Sequence, residues 1–397
     1  MEKLAQSGVK WVRMDFIWAD TEKQKGKYDF SEYDRFMQAL APYGIHSLFI
    51  LDYDNPLYDE GLSPHTDAGR EAFANWAAAA VLHFRGKPVL WEIYNEPNFS
   101  RFWRPKANVA DYIKLVLAVG EKVEQAAPES KLAGPALAKI DKKFLKKCFE
   151  GGALKVWSAV TLHPYRRHSP PETFEKDLIF VRKWISEFAP GKEIPVLSGE
   201  WGYSDIWRGM NPEKQGQYVA RQWLSNLSLG VPLSIWYDWR DDGQSPKEEE
   251  HHYGWVQYAD PHSPDFAFRP KPAYLAAQTL TSQLDGFRFL KRIALPRQDD
   301  YALLFEKGNE IRLVAWSLAA KPHYATLPAA PDTFKVVGHT GQNHPDLSSD
   351  SRGLCLLLSQ DPLYLSPSSD NRVLKETRAW ISGNSFWVGR ESNACGR

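Results

Sequence analysis

The chain has 397 residues, enough for one barrel-sized domain and a smaller companion. Its 49 lysines and arginines balance 49 aspartates and glutamates, so no net field draws it to nucleic acid or to an anionic membrane. Three cysteines, Cys148, Cys355 and Cys395, supply neither a disulfide framework nor a CxxC metal site, and no apolar run reaches the roughly 18 residues of a transmembrane span.

In chain order, the strand candidates are VKWVRMDF (9–16), HSLFILDY (46–53), VLWEIYNE (89–96), KLAGPAL (131–137), AVTLHPY (159–165), IPVLSGEW (194–201) and LSIWYDW (233–239). Their continuous apolar character fits parallel strands buried on both faces. Between them run helical patterns. SEYDRFMQALAPYG starts with Ser31 as N-cap, places Tyr33, Phe36, Met37 and Leu40 on one face and stops near Gly44. REAFANWAAAAVLHF, VADYIKLVLAVGEKVEQ, ETFEKDLIFVRKWISEF and EKQGQYVARQWLSNL behave likewise. Repeated βα units argue for an α/β fold, and no glycine-rich phosphate fingerprint follows the first strand, so a (β/α)8 TIM barrel is favoured over a doubly wound sheet. Only seven barrel strands are visible, and MEKLAQSG reads as the helix before a strand. The expectation is a barrel over 1–286 that lacks its first strand and starts near barrel strand 2. After KPAYLAAQTLTSQLDG (271–286) the pattern turns to short strands, FRFLKRIAL, YALLFEKG, EIRLVAWS, HYATLPA, FKVVGHT and GLCLLLSQ, so 287–365 is expected to be a small antiparallel, sandwich-like β-domain. SPSSDN (366–371) reads as a linker and the rest of 366–397 as a tail.

In a TIM barrel, chemistry gathers where the strands end at their C-terminal side. The closing residues are Arg13 and Asp15, Asp52 and Tyr53, Asn95 and Glu96, His163 and Tyr165, Glu200 and Trp201, then Trp236, Tyr237 and Asp238. Two of these are glutamates. A carboxylic acid facing a carboxylate suits cleavage of a glycosidic bond, one protonating the leaving oxygen and the other attacking the sugar carbon. Singly, each glutamate could as well cap a helix or pair with a rim arginine; together, at strand ends in aromatic surroundings, the catalytic reading prevails.

Asn95-Glu96-Pro97 and the LSGEWG segment around Glu200 resemble the clan A glycoside hydrolases, most closely family 39, with the family 5 cellulase-like enzymes as neighbours. The resemblance spans about residues 1–286, and family 39 enzymes often carry a C-terminal β-domain. It implies entry at the fold's second strand, Glu96 as general acid/base and Glu200 as nucleophile. It implies further that Asn95 bonds the sugar 2-hydroxyl, that Tyr165 keeps the nucleophile ionised and aimed, and that His163 belongs to the sugar site. Trp236 would be the stacking platform. Arg13 would bond the nucleophile, with an ion pair to Asp15 or Glu22 as the alternative. Tyr53 and Trp201 complete the substrate-binding candidates.

The expected partner is a carbohydrate substrate, with no nucleic acid, membrane span, cofactor or metal. MEKLAQSGVKWV lacks the basic and apolar regions of a signal peptide, while a full-length parent would be secreted or periplasmic. KEEEHHYGW (247–255) admits three readings: a solvated loop over the cleft, a sugar-contacting lid, or a metal site, the last with no matching ligand spacing. NLS (226–228) matches a glycosylation sequon inside a helical pattern. Sixteen tryptophans and seventeen tyrosines fill cores and stack on sugars alike; Trp18, Tyr53, Trp103, Trp201, Trp207 and Trp239 fall on or just beyond strand ends. The function this predicts is a retaining hydrolase of β-linked poly- or oligosaccharides, endo-acting. The alternatives are an exo-acting β-xylosidase- or iduronidase-like enzyme and a non-catalytic glycan-binding barrel.

Overall fold

The structure, a computed structural model, describes residues 1–264 and 266–380. Its packing divides the chain into two compact units. The first holds Met1–Ala5, Val9–Gly202 and Val231–Tyr237; the second holds Gln6–Gly8, Tyr203–Gly230 and the chain from Asp238 onward.

The first unit is built on seven parallel strands paired in sequence order. They are β1 (Trp11–Ile17), β2 (His46–Asp52), β3 (Val89–Ile93), β4 (Leu132–Ala138), β5 (Ala159–His163), β6 (Val196–Trp201) and β7 (Ser234–Trp236). The edge strands β1 and β7 come into contact without a ladder between them, so the sheet is a nearly closed barrel. All seven expected strands form, because each must bury both faces. Helices Ser31–Leu40, Asp67–His83, Val109–Ala126, Lys142–Glu150 and Phe174–Phe188 make the crossovers. Lys142–Glu150 went unnoticed in the sequence: nine lysine-rich residues leave only Phe144, Leu145, Cys148 and Phe149 to mark its buried side.

Local sequence sets the helix ends. Thr66 accepts from Gly69 N, Asn108 from Ala110 N and Asp111 N, and Asp141 from Phe144 N, each side chain satisfying N–H groups that have no partner within the helix. Ser31 is not the N-cap expected of it. The helix begins at Ser31 itself, and Asp29 Oδ1 accepts from the Ser31 amide at 3.0 Å. Gly44 does end the following turn, at φ 62° in the left-handed region that glycine enters without a Cβ clash.

Strand alternation sorts the side chains into two sets. On the helix side, Phe16, Phe49 and Trp91 meet, with ring centroids 5.2 to 5.5 Å apart, and Phe84 closes over Phe49 at 5.8 Å. On the other side, Leu90, Ala133, Ala159, Leu197 and Leu233 form one apolar layer. Glu92 follows Leu90 two residues later on the same side of β3, which places a charge directly above that layer.

In the second unit, helices Pro212–Ser228 and Pro272–Gln283 accompany an antiparallel six-stranded sheet of order β13-β12-β15-β10-β9-β8 and a two-stranded β11-β14 pair. These strands are β8 (Arg288–Arg292), β9 (Asp300–Lys307), β10 (Glu310–Ser317), β11 (His323–Leu327), β12 (Asp332–Gly338), β13 (Asn343–Ser349), β14 (Leu354–Leu358) and β15 (Leu363–Pro367). Residues of both sheets share one apolar core, including Leu304, Leu313, Phe334, Leu354, Leu356 and Leu365. The two strands absent from the sequence reading are β13, an exposed polar edge containing Pro345, and β15. β15 runs into the stretch read as a linker: Lys335 pairs with Ser366, Phe334 with Pro367, and Asn371 caps a short helix, Arg372–Glu376. The rest of the expected tail, 381–397 with Cys395, lies outside the described residues.

KEEEHHYGW is an anchored loop rather than a solvated one. Trp207 Nε1 donates to Glu249 Oε2 at 2.9 Å, His252 Nδ1 lies 3.2 Å from Asp205, and buried Lys271 joins Asp205 (2.9 Å) to Asp241 (2.8 Å). Asn226 of the sequon is buried, out of reach of glycosylation. No described helix is long and apolar enough to cross a membrane.

Phe49 is fully buried against five aromatic neighbours, so Phe49→Ala is expected to cost about 3–5 kcal/mol. A lower urea midpoint at unchanged slope is the check.

Candidate active site

The ends of β1, β3, β5 and β6 bring Arg13, Glu92, Glu96, His163, Tyr165 and Glu200 into one cluster. Arg13 sits at its centre with all three nitrogens engaged: Nε donates to Glu92 Oε2 at 2.7 Å, Nη1 to Glu200 Oε2 at 2.6 Å and Nη2 to Asn95 Oδ1 at 2.8 Å. Of the partners foreseen for Arg13, the nucleophile candidate Glu200 is the one it takes. Glu22 is spent instead on Trp18, Gly26 and Tyr58. Asn95 passes the chain outward, its Nδ2 donating to Tyr53 Oη at 2.9 Å.

Glu200 accepts a second hydrogen bond, from Tyr165 Oη to Oε1 at 2.7 Å. Burial alone would raise its carboxyl, but the charges of His163 and Arg13 and the bonds from Tyr165 and Arg13 outweigh burial and hold it below the usual range. Glu96 stands differently: its Oε1 pairs with His163 Nδ1 at 2.9 Å. His163 is fully buried, and its Nδ1 also lies 3.9 Å from Glu200 Oε2. An oxygen of Glu96 and one of Glu200 lie within 4.8 Å of each other. Both side chains keep a face to solvent, at 11% and 15% exposure.

The backbone here is unusual. Tyr94 (φ 68°), Glu96 (φ 44°), Ala136 (φ 51°) and Lys139 (φ 60°) are non-glycine residues in the left-handed region, at a cost of about 1 kcal/mol or more each. They cluster where β3 and β4 end. Glu96 N donates to Ala136 O (3.0 Å), Lys139 N to His163 O (2.9 Å), and Asn98 exchanges two 3.0 Å bonds with the Ala138 backbone. The acid at the end of β3 is thereby fastened to β4 and β5.

Glu92 escaped the sequence reading, although it is fully buried and holds Arg13. The available signal was a lone charge inside the apolar run VLWEI, which obliges a buried counter-charge. Asp15 and Asp52 form a second pair beside it. Burial, reinforced for Asp52 by the Asp15 charge, raises both carboxyls, Asp52 well above its usual range. Gly199 lets β6 approach: a Cβ there would stand 3.1 Å from Glu92 Oε1.

The aromatic candidates divide. Tyr53 adjoins the cluster through Asn95, while Trp236 ends β7 in register with Trp201. Trp201 is fully enclosed, against Phe174 and the Arg166 guanidinium. Trp18, Trp103 and Trp207 are likewise buried, so these rings serve packing. Asp238 belongs to the second unit, where burial and the charges of Asp242 and Asp241 push its carboxyl up to about 9.

Glu96, His163 and Glu200 offer one ligand atom each within 4.8 Å of one another, a donor set that could hold a divalent ion. Arg13 argues against it: a guanidinium already occupies Glu200 Oε2 at 2.6 Å and would repel a second cation.

No protein-family model matches the sequence, and no match was found among curated proteins. Solved structures do match in fold, with a parallel barrel and an antiparallel β-domain, and those structures include family 39 glycoside hydrolases. A family 39 glycoside hydrolase from Bacteroides cellulosilyticus WH2 matches with TM-score 0.80 and 24% identity, over 92% of this chain and 77% of that one. A family 39 β-xylosidase from Caulobacter crescentus matches with TM-score 0.64 and 17% identity, over 92% and 91%. A family 30 endoxylanase from Clostridium papyrosolvens C71 matches with TM-score 0.62 and 10% identity, over 92% and 91%.

Burial and the Asp15 charge raise the Asp52 carboxyl in the folded state, so folding above the ordinary aspartate range takes up a proton. The stability it contributes is complete below about pH 3.9 and is lost as pH rises toward the folded value. Asp52→Asn is therefore expected to be the more stable form at pH 7, with the gap closing toward pH 4, as read from urea midpoints across pH.

Proposed function

We propose that this chain is a retaining glycoside hydrolase that cleaves β-glycosidic bonds in poly- or oligosaccharides by double displacement. The observation that carries the reading is the Glu96–Glu200 pair, two carboxyl groups with oxygens within 4.8 Å. Retaining enzymes hold their carboxyls about 5–5.5 Å apart, whereas inverting ones leave about 6.5–9.5 Å for a water.

The partners assign the roles. Glu200 is held ionised by Arg13 and Tyr165, as an attacking carboxylate must be. Glu96 has neither an arginine nor a tyrosine donor and pairs with the His163 ring at 2.9 Å, which suits a group that gives up a proton and later takes one back. In the first step Glu200 forms a bond to the anomeric carbon as the glycosidic bond breaks, and the Glu96 proton passes to the leaving oxygen. In the second, Glu96 takes a proton from water, whose oxygen attacks the same carbon and releases Glu200. Asn95, fixed between Arg13 and Tyr53, would bond the sugar 2-hydroxyl, and Trp236, 7% exposed, would offer what stays open of its ring to the sugar. The chemistry belongs to the segment 1–286, with 287–365 as an accessory β-domain.

Endo action on polysaccharide follows from the aromatic rim, but four of the six rim tryptophans and tyrosines, Trp18, Trp103, Trp201 and Trp207, are enclosed. Exo action is the second reading, favoured by the similarity to a structure named as a β-xylosidase.

Assayed on aryl β-glycosides and β-linked polysaccharides, Glu96→Gln and Glu200→Gln should each lose about two to three orders of magnitude in hydrolysis. Loss in neither would overturn the roles and leave a glycan-binding barrel. Proton NMR of the first product should show the β-anomer. Tyr165→Phe removes a bond that lowers the Glu200 carboxyl, so the acid limb of kcat/KM should move to higher pH.

A further inference from the structure

The cluster described so far accounts for the sugar that is attacked. It leaves unassigned two side chains that flank the acid/base residue on the leaving-group side. Phe99 is 50% exposed, and its backbone N–H donates to Glu96 O at 2.9 Å. Lys139 is exposed at the end of β4, fixed by its own N–H to the carbonyl of His163, the residue that holds Glu96. The two are neighbours, because Asn98, next to Phe99, clasps the backbone of Ala138, next to Lys139.

Phe99 leaves half its surface in water, its ring 6.1 Å from that of Phe102, and Lys139 is held at φ 60° by its own N–H to the His163 carbonyl. The Lys139 ammonium makes no hydrogen bond or ion pair among the described residues. Phe99 meets the ring of Phe102 at 6.1 Å, and Phe102 stacks on Tyr53 at 5.7 Å with the Arg101 guanidinium 5.7 Å over the Phe102 ring, so the apolar strip is continuous with Asn95 and the catalytic cluster.

Charge is segregated here. Residues 97–107 carry Arg101, Arg104 and Lys106 and no acid; residues 139–147 carry Lys139, Lys142, Lys143, Lys146 and Lys147 against one acid, Asp141, which is spent capping its helix. Of these, Arg104 is paired with Asp54, Lys146 with Glu150, and Lys142 lies over the Phe180 ring, whereas Lys139 stands one backbone hydrogen bond from His163, the partner of Glu96.

We propose that Phe99 and Lys139 form the subsite for the leaving-group sugar and that this sugar is anionic, its apolar face on Phe99 and its carboxylate or sulfate on Lys139. The inference rests on the glycosidase reading, since it is Glu96 as acid that defines the leaving side. A sugar ring presents C–H groups to an aromatic face, and an anion within reach of an unpaired ammonium gains a charge-assisted contact.

The test measures binding, without turnover, so that it stands apart from the catalytic assay. Retention in affinity electrophoresis is compared on glucuronoxylan and hyaluronan, each beside its carboxyl-reduced form, and on carrageenan beside its desulfated form. The parent is expected to bind at least one anionic glycan about tenfold more tightly than its neutralised twin, the ratio of one contact worth about 1.4 kcal/mol. Lys139→Ala should abolish that ratio and Lys139→Arg restore it. Lys87→Ala, an equal charge loss at the opposite end of β3, should keep it. Phe99→Ala should weaken both members of a pair alike. Circular dichroism of each variant checks folding. The proposal falls if no anionic glycan is preferred to its twin, or if Lys139→Ala keeps the ratio. Unchanged hydrolysis in Glu96→Gln and Glu200→Gln would instead overturn the glycosidase reading, whatever the binding result.

Discussion

The buried fork of Arg13 is the constraint on which the site depends. One guanidinium on β1 meets Glu92 and Asn95 from β3 and its loop, and Glu200 from β6, each nitrogen with its own acceptor. The planar five-donor geometry of arginine makes this possible, and lysine, a point charge, could not span the three. The dependence is mutual. Glu92 is fully buried, and a carboxylate there without its cation would cost about 3–5 kcal/mol. The barrel interior can therefore close only with strands β1, β3 and β6 in the register that brings these groups together.

From this follows the division of labour between two similar carboxylates. The Arg13 charge is shared between Glu92 and Glu200, and the neighbouring carboxyls differ in what else they meet. Burial raises those of Asp15 and Asp52. Glu200 accepts from Tyr165 as well as Arg13. Glu96 receives neither donor, only the imidazole of His163. Roles in the proposed chemistry thus come from the partner set that each strand end supplies, since the two side chains themselves are alike.

Much of this was legible in the sequence, for a physical reason. Strands buried on both faces show as apolar runs, so β1 to β7 were found, and rim residues could be read from where those runs stop. The same logic fails where one face is open or the signal is a single residue. β13 is a polar edge strand with no apolar alternation, and the helix Lys142–Glu150 is masked by lysines. Glu92 looked like a blemish in an apolar strand, because its partner is 79 residues away in the chain. The enclosure of Trp201 and Trp103 was equally hidden: tryptophan at a strand end is compatible with a sugar platform or with packing, and only the neighbours decide.

The charge balance carries a similar lesson about averages. A chain with equal numbers of acids and bases has no long-range field, and that exclusion holds at distances beyond the ~8–10 Å over which salt screens. Within that distance, composition says nothing. The segments 97–107 and 139–147, the second running into the helix Lys142–Glu150, carry eight basic residues against one acid. A sugar bearing a charge would feel the catalytic carboxyls and these bases in opposite senses, repelled by Glu96 and Glu200 and drawn toward Lys139. Orientation along the cleft would then be set by local sign, with the anion on the leaving side and the neutral ring at Asn95 and Trp236. Two separate left-handed turns, at Glu96 after β3 and at Lys139 after β4, are joined by the Asn98–Ala138 clasp, which ties the acid and the exposed ammonium to one rim.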